Sequence, residues 1–257
     1  NYSLAKDMIG LAADAGADAI KLQTIIPDKL VSVSQRDRIK QLTRFQLSKQ
    51  EFIDLAQEAK SKGVIFLSTP FDIESAQFLN EHVEAFKIAS GDNNFFPLIQ
   101  EIAEIGKPII LSTGLMNMNE IKKSVSFIKS TWTRKKIKQE LALLHCVSSY
   151  PTIPEDANLL SIRALRKITE TVGYSDHTMG IDAALLSVAL GARIIEKHFT
   201  LNNNYSNFRD HQLSANPEDF KKMVHKIRNA EKMLGSGVKT PSDKEIEVKQ
   251  SLRRSIV

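Results

Sequence analysis

Seven short apolar runs along the chain each end in a small cluster of polar residues, and a helical stretch separates each run from the next. The runs lie at residues 19–24, 64–69, 85–90, 109–114, 141–150, 172–178 and 193–200. They are continuously apolar instead of alternating, which is typical of parallel strands covered on both faces. The sequence therefore predicts an α/β protein with a parallel sheet and with its chemistry at the C-terminal ends of the strands.

The number of strand–helix units favours a closed (β/α)₈ TIM barrel over an open, doubly wound sheet. The chain has 257 residues, close to the roughly 250 that are typical of such a barrel. No glycine-rich phosphate loop follows any of the runs. A complete barrel has eight strands, so we expect the first strand to lie before Asn1.

The helices that separate the runs are marked by apolar periodicity and by glycine or proline at most of their ends. Ser48 and Glu51 form a candidate capping box for one of them. Further helices are expected near residues 4–15, 72–81, 97–105, 119–130, 158–170, 180–190 and 217–234. Residues 27–44 are expected to form a long loop with room for a short helix. We assign residues 1–235 to the barrel and residues 236–257, which are polar and charged, to a linker.

Composition argues against a membrane-spanning protein and a disulfide-rich protein, and gives little support for nucleic-acid binding. Hydrophobic residues make up 42% of the chain, and no apolar run reaches the length of a membrane span. The lone cysteine, Cys146, excludes an internal disulfide framework and fits a reducing, cytoplasmic location. A net charge of +5 is weak evidence for nucleic-acid binding and suits an anionic small substrate equally well.

Two histidines, His177 and His198, follow the last two predicted strands at equivalent places. Two imidazoles at the ends of neighbouring strands can hold one divalent metal and leave positions open for water and a substrate oxygen. They can equally be loop histidines that hydrogen-bond to the backbone. Cys146 has apolar flanks and is expected to be a small packed residue.

Two lysines, Lys21 and Lys87, lie inside apolar strand runs instead of at their edges. Lysine is rarely buried unless it is paired, so each is expected to meet an anion. That anion can be a bound phosphate or carboxylate, or a core carboxylate such as Glu196. Either lysine can instead be a Schiff-base nucleophile.

Hydroxyl groups follow several strands and can donate to phosphate, although each can also be a turn or helix cap. They belong to Thr69, Ser90, Ser112, Thr113 and Ser175. Glu196 shares a strand face with His198 and can be a general acid or base, a partner that orients a metal ligand, or a salt-bridge residue. Asp210 lies in an asparagine-rich loop that can bind a polyol or form plain surface. Tyr150 precedes Pro151 and is expected to line the mouth of the site.

Seven blocks occur in one order between about Lys21 and Asp210, which is most of the chain. They are IKLQT, FLSTPFD, FKIASGDNNFFPLI, GKPIILSTGLM, LLHCVSSYPT, GYSDHTMGIDAALLSVALGA and EKHFT. Together they resemble the sialic acid synthase family, which includes N-acetylneuraminate synthases and related nonulosonic acid or spore-coat polysaccharide synthases. The resemblance implies a metal-dependent (β/α)₈ barrel that condenses phosphoenolpyruvate with an N-acylated mannosamine-type sugar.

The resemblance also implies roles for individual residues. It assigns His177 and His198 as ligands of Mn²⁺, with Mg²⁺ or Co²⁺ as alternatives. The residues implied around phosphoenolpyruvate are Lys21, Thr69, Lys87, Ser90, Ser112, Ser148 and Ser175. Those implied for the sugar are Gln23, Tyr150 and Asp210. Glu196 is implied near the reacting carbons, with Lys21 and Lys87 as the other catalytic groups.

The sequence departs from the family pattern in three places. Ser148 stands where the family often has asparagine, which resembles the branch that makes bacterial nonulosonic acids or coat-polysaccharide sugars. A glutamate and an Asn-His motif at the end of the family's first strand are not in the chain. Neither is its small C-terminal antifreeze-like domain, toward which the linker is expected to lead. The resemblance implies a homodimer for the intact protein, with no nucleic-acid or membrane partner.

Two other functions remain as alternatives. The first is a Schiff-base aldolase on the same type of barrel, with Lys87 or Lys21 as the nucleophile. The second is a barrel that binds a sugar or an anion without catalysis.

Overall fold

A computed structural model describes residues 1–206 and 209–254. Within those residues, seven parallel strands form one sheet in which each strand is hydrogen-bonded to the next along the chain. They are β1 (Ala19–Thr24), β2 (Ile65–Pro70), β3 (Phe86–Ile88), β4 (Ile109–Ser112), β5 (Leu141–Cys146), β6 (Thr171–Asp176) and β7 (Ile194–Lys197). This sequential, curled sheet confirms the seven predicted strands and the barrel-like α/β fold.

Helices connect the strands and cover the outer face of the sheet. Those before β3 are α1 (Tyr2–Asp14), α2 (Pro27–Leu30), α3 (Arg36–Thr43), α4 (Lys49–Ser61) and α5 (Ile73–Leu79). Those between β3 and β7 are α6 (Phe96–Ile105), α7 (Met118–Lys135), α8 (Ser161–Leu165) and α9 (Asp182–Ala189). After β7 come α10 (Arg209–Leu213), α11 (Pro217–Leu234) and α12 (Asp243–Leu252).

The main hydrophobic core lies between the outer face of the sheet and these helices. Phe86, Ile109 and Leu111 on the strands are fully buried, as are Leu55 of α4 and Leu98 of α6. Because the helices cover this side completely, polar strand residues are concentrated on the inner face or at the strand ends. The core therefore fixes the strands that carry the site.

The predicted capping box at the start of α4 is confirmed. Ser48 Oγ accepts a hydrogen bond from the Glu51 N–H at 3.2 Å, and the Glu51 carboxylate accepts from the Ser48 N–H at 2.7 Å. Two donors that a helix start leaves without partners are thereby satisfied.

Two helical predictions were wrong in extent. Residues 27–44 contain both α2 and α3 instead of a long loop, because Pro27 is suited to the first position of a helix and Leu42 buries α3 against the core. The helix expected over residues 158–170 is reduced to α8. Asn158 has φ +41°, a left-handed conformation that delays the start of this helix.

The segment assigned to a linker contains α12, whose start is capped by Ser242 and Glu245. None of the residues of α12 is buried. Residues 255–257 of the predicted linker lie outside the described residues. None of the helices within residues 1–206 and 209–254 is both long enough and apolar enough to cross a membrane.

Candidate active site

The register of the strands directs one set of polar side chains to the inner face of the curled sheet. Neighbouring strands pair Gln23 with Thr69 and Ser175 with Glu196. Since side chains alternate between the two faces of a strand, residues two positions away share the inner face. That face carries Lys21, Gln23, Thr69, Lys87, Ser112, Cys146, Ser175 and Glu196, with His177 and His198 just beyond the strand ends.

Glu196 lies between the two strand-borne lysines. Its Oε2 is 3.0 Å from Lys21 Nζ, and its Oε1 is 3.6 Å from Lys87 Nζ. The Ser175 hydroxyl donates to Oε1 at 2.7 Å, and Lys87 Nζ donates to Ser112 Oγ at 2.7 Å. The ion pair from Lys21 to Glu196 joins the first strand to the last, so residues far apart in the sequence meet across the inner face.

Burial and charge set the protonation of this cluster. Burial lowers the pKa of Lys87, which is only 3% exposed, to about 8, and the nearby Lys21 charge acts in the same direction. Burial by itself raises the pKa of Glu196, but Lys21, Lys87 and the Ser175 hydroxyl outweigh burial and hold that pKa well below its ordinary value. Glu196 is therefore a carboxylate, with two ammonium groups as neighbours.

Two serine hydroxyls lie against Gly114. A Cβ atom built on Gly114 would stand 2.5 Å from Ser148 Oγ and 2.6 Å from Ser90 Oγ. Only a glycine therefore lets Ser90 and Ser148 approach the same point. Both serines were predicted as anion-binding residues, and they come together although they follow different strands.

Thr69 also faces this region from the end of β2. Its Oγ1 is buried and has no hydrogen-bond partner within the described residues. A buried hydroxyl without a partner is uncommon in proteins. It indicates a place where a bound group can accept the hydrogen bond.

His177 and His198 stand side by side, with ring centroids 5.3 Å apart. The Nδ1 atom of His177 is 2.8 Å from the Val147 carbonyl oxygen, so it carries the proton and donates to that oxygen. Burial lowers the pKa of His177, but Cys146 and the Val147 carbonyl outweigh burial and raise it overall. Burial, followed by the charge of His177, lowers the pKa of His198 well below its ordinary value, so this ring is neutral.

This imidazole pair fits a divalent metal with two protein ligands. An imidazole that ligates a metal usually donates its other N–H to a carbonyl or carboxylate, and His177 already makes such a bond. Within the residues that the structure describes, no group of three or more His, Cys, Asp or Glu side chains could hold a metal. The other coordination positions would fall to water or substrate.

Two of the three residues expected to contact the sugar, Tyr150 and Asp210, lie near the imidazole pair. The Tyr150 ring is 4.1 Å from the His177 ring and 6.0 Å from the His198 ring, measured between centroids. Asp210 lies in the short helix α10 and not in the loop that was predicted, and its charge acts on His198. Gln23 is exposed at the end of β1.

Sequence reasoning missed the positions of Cys146 and Gly114. Cys146 Sγ is 3.8 Å from His177 Nδ1, so this thiol borders the site instead of only filling space. Counting back two residues from Ser148 gives the signal that places Cys146 on the inner face. No signal in a single sequence identifies the close approach at Gly114.

A surface cavity of about 550 Å³ lies away from this site, between the C-terminal ends of α8, α9 and α11. Helices in this fold run antiparallel to the strands, so this cavity is at the opposite end of the sheet. Arg163, Arg166 and Lys167 contribute to its lining. Cations near helix C-termini interact favourably with the helix dipole, which accounts for this basic lining.

Comparisons with known proteins extend over nearly the whole chain. A family model described as the NeuB family matches residues 8–239. An uncharacterized protein from Methanocaldococcus jannaschii is 46% identical over 259 residues, which cover 100% of this chain and 75% of that protein. The N,N'-diacetyllegionaminic acid synthase of Campylobacter jejuni is 36% identical over 272 residues, which cover 100% of this chain and 80% of the synthase.

A solved structure shows the same similarity. The crystal structure of N-acetylneuraminic acid (sialic acid) synthetase from Leptospira borgpetersenii, in complex with citrate, matches with a TM-score of 0.90 and 38% identity. The match covers 99% of this chain and 88% of that chain. The strands that carry the inner-face cluster and the helices around them are therefore shared.

Proposed function

The chain belongs to the NeuB family, and we propose that it condenses phosphoenolpyruvate with an N-acylated mannosamine-type sugar to give a nonulosonic acid and phosphate. Family membership confirms the resemblance drawn from the sequence. The observation that carries the proposal is the position of Glu196 between Lys21 and Lys87, on the inner face that also carries His177 and His198. One face of the sheet thus offers cations for an anionic substrate and two imidazoles beside them.

Lys21 and Lys87 bind the phosphate and carboxylate groups of phosphoenolpyruvate. Charge-assisted hydrogen bonds to such groups are the strong ones, and the nearby serines and Thr69 add neutral donors. In the free protein, Glu196 pairs with both lysines and offsets one of their two positive charges. The arriving anion competes with Glu196 for them, which raises the pKa of Glu196 and makes it a better base.

His177 and His198 would hold a divalent ion, Mn²⁺ with Mg²⁺ or Co²⁺ as alternatives, and when bound it supplies Lewis-acid polarisation of the sugar carbonyl. Tyr150, Asp210 and Gln23 orient the sugar beside them. Holding both reactants in one cavity lowers the entropic cost of bringing them together.

The reaction makes one carbon–carbon bond. C3 of phosphoenolpyruvate attacks the aldehyde carbon of the open-chain sugar, and the aldehyde oxygen takes up a proton. Water adds at C2, and the C2–O bond to phosphate breaks as the ketone forms. Glu196 accepts the proton of that water. The reaction consumes one water and releases one phosphate.

Lys87→Met is expected to weaken phosphoenolpyruvate binding and to remove part of its pH dependence. Lys87 is charged below a pKa of about 8. In the native protein, the dissociation constant should therefore rise as the pH increases through 8, by up to about tenfold per pH unit. Titration calorimetry between pH 7 and pH 9.5 measures this. Lys6→Met, which removes a surface ion pair with Glu58, is the control. A native affinity that stays constant above pH 8 would count against the role of Lys87.

Gly114→Ala is expected to raise the KM for phosphoenolpyruvate, because the new methyl group displaces Ser90 and Ser148. Displacing binding groups by about 1 Å can reduce activity by about 100-fold. Gly91→Ala is the matched control, since a Cβ atom built on Gly91 would have no neighbour within 4 Å. Steady-state kinetics give the KM of each variant. Equal KM values for Gly114→Ala and Gly91→Ala would refute a contact of Ser90 and Ser148 with phosphoenolpyruvate.

The direct test of the proposed reaction is phosphate release by the full-length protein. It is incubated with phosphoenolpyruvate, Mn²⁺ and a panel that includes N-acetylmannosamine and a diacetamido-trideoxy hexose. Release is expected only when both a sugar and the metal are present. Release without sugar, or no release with any sugar, would contradict the proposal.

A Schiff-base aldolase is the second candidate, because the lowered pKa of Lys87 increases the fraction of free amine at neutral pH. Such an enzyme would form an adduct that borohydride traps on Lys87, with no need for a metal. Mass spectrometry of the borohydride-treated protein is expected to show no adduct. A barrel without catalytic activity would bind the same molecules and release no phosphate.

A further inference from the structure

An ion pair is buried on the outer face of the sheet, directly behind the two imidazoles. Asp176 of β6 and Lys197 of β7 are register partners, and Lys197 Nζ is 2.9 Å from Asp176 Oδ2. Both side chains have a relative accessibility of 0%. Their neighbours along the chain, Ser175 and Glu196, face inward, so this pair points into the helical layer.

Each member of the pair immediately precedes one of the imidazoles. Asp176 comes before His177, and Lys197 comes before His198. The pair also holds the residue after His177: Asp176 Oδ1 accepts from the Thr178 N–H at 2.8 Å and from its hydroxyl at 2.7 Å. Lys197 Nζ donates to the Thr178 carbonyl oxygen at 2.5 Å. The backbone on both sides of His177 is thus tied to β7.

The His198 ring is held by fewer hydrogen bonds than the His177 ring. Whereas the Val147 carbonyl orients the His177 ring, no hydrogen bond of the His198 ring is found within the described residues. β7 pairs only with β6 in the described part of the chain. The orientation of His198 therefore depends on its ring contacts with Tyr150 and His177 and on its backbone. That backbone is held by the Lys197 side chain on one side and by the Ala215 N–H bond to the His198 carbonyl oxygen on the other.

A buried ion pair is a weak source of stability, because the loss of hydration offsets the attraction. Apolar residues of similar volume often give equal or greater stability. The contribution that apolar residues cannot replace is geometric: the pair fixes the ends of two strands relative to each other.

We propose that Asp176 and Lys197 form a positioning pair that sets the separation and orientation of His177 and His198, and thereby the affinity of the site for a divalent cation. The cation part of this inference rests on the proposed function; the placement of the rings does not.

The test compares the double variant Asp176→Asn/Lys197→Met with the native full-length protein. Both substitutions keep the side-chain size and leave no buried charge unpaired. The matched control is Asp18→Asn/Arg228→Met, which removes the bidentate surface pair between these residues at 2.7 and 2.8 Å. Lys197→Arg keeps a cation at this position and is expected to retain part of the Mn²⁺ affinity that the double variant loses.

Mn²⁺ binding is followed through the paramagnetic resonance signal of the free ion, and phosphoenolpyruvate binding is measured by calorimetry without metal. For the double variant we expect a Mn²⁺ dissociation constant raised by about 10-fold to 100-fold and nearly unchanged phosphoenolpyruvate affinity. The control should match the native protein in both. A folded double variant with native Mn²⁺ affinity would overturn the proposal, because a purely structural pair predicts that result.

A second measurement tests the positioning of the His198 ring in the absence of metal. Imidazole nitrogen resonances are recorded on histidine-labelled protein, with His82, whose ring lies 5.0 Å from that of Phe78 between centroids, as internal reference. The His198 signals are expected to shift or broaden in the double variant while those of His82 stay in place. Unchanged His198 signals would refute the positioning role. If the native protein does not bind Mn²⁺, the metal part of the proposed function is wrong. The His198 resonances then still test whether Asp176 and Lys197 position the ring.

If the double variant does not fold, Lys197→Arg supplies the comparison. Its longer, planar cation cannot reproduce both lysine contacts at once. We expect intermediate Mn²⁺ affinity and shifted His198 signals, and native values for both in this variant would overturn the proposal.

Discussion

His198→Ala is expected to abolish turnover and Mn²⁺ binding together. The variant removes one of two imidazoles whose centroids are 5.3 Å apart, and a single imidazole cannot hold the ion in place. Losing metal-based stabilisation worth several kcal/mol lowers kcat by about 1,000-fold or more. Phosphate release and Mn²⁺ titration measure the two effects on one preparation.

Phosphoenolpyruvate should still bind to this variant in the absence of metal, because Lys21 and Lys87 are intact. His225→Ala is the control, since it makes the same change at an exposed position of α11. Full activity of His198→Ala would remove the metal role of the pair. Simultaneous loss of phosphoenolpyruvate binding would indicate unfolding or a different arrangement of the site.

Glu196→Gln is expected to lower kcat by about 100-fold to 10,000-fold, the range for losing a general acid or base. Glutamine keeps the size of the side chain and its bond with Ser175, but it cannot accept a proton. It also no longer competes for Lys21 and Lys87. Phosphoenolpyruvate should therefore bind as tightly as before or more tightly, so that kcat and KM fall together.

Steady-state kinetics and calorimetry at pH 7 separate these two quantities. Glu58→Gln, which breaks a surface ion pair with Lys6, is the matched control and should leave both unchanged. If Glu196→Gln retained native kcat, or lost phosphoenolpyruvate affinity with kcat unchanged, Glu196 would be a structural residue and not the base.

The strands and their order could be predicted because their signal is local. Each run is continuously apolar, and the helices between runs leave only a parallel arrangement open. Lys21 and Lys87 were identified because lysine inside an apolar run requires a partner. Glu196 was named as the alternative to a bound anion, and the ion pairs at 3.0 and 3.6 Å show that both lysines contact it.

Other features depend on register and close approach, which a single sequence does not encode locally. The pairing of Asp176 with Lys197 follows only once Ser175 is aligned with Glu196. The closeness of Gly114 to Ser90 and Ser148 depends on how three loops fold over the strand ends. The helix α3 was missed because its strongly polar sequence has Leu42 as its only buried residue.

The measurement that tests the central claim most directly is the relaxation of the phosphorus resonance of phosphoenolpyruvate bound to the protein, with Mn²⁺ compared with diamagnetic Mg²⁺. If the lysine cluster and the imidazole pair are two halves of one site, Mn²⁺ will strongly relax the phosphorus of the bound ligand, and His198→Ala will remove the effect while binding persists. If bound phosphoenolpyruvate relaxes equally with Mn²⁺ and with Mg²⁺, the metal and the anion do not share a cavity, and the proposed condensation cannot occur as described.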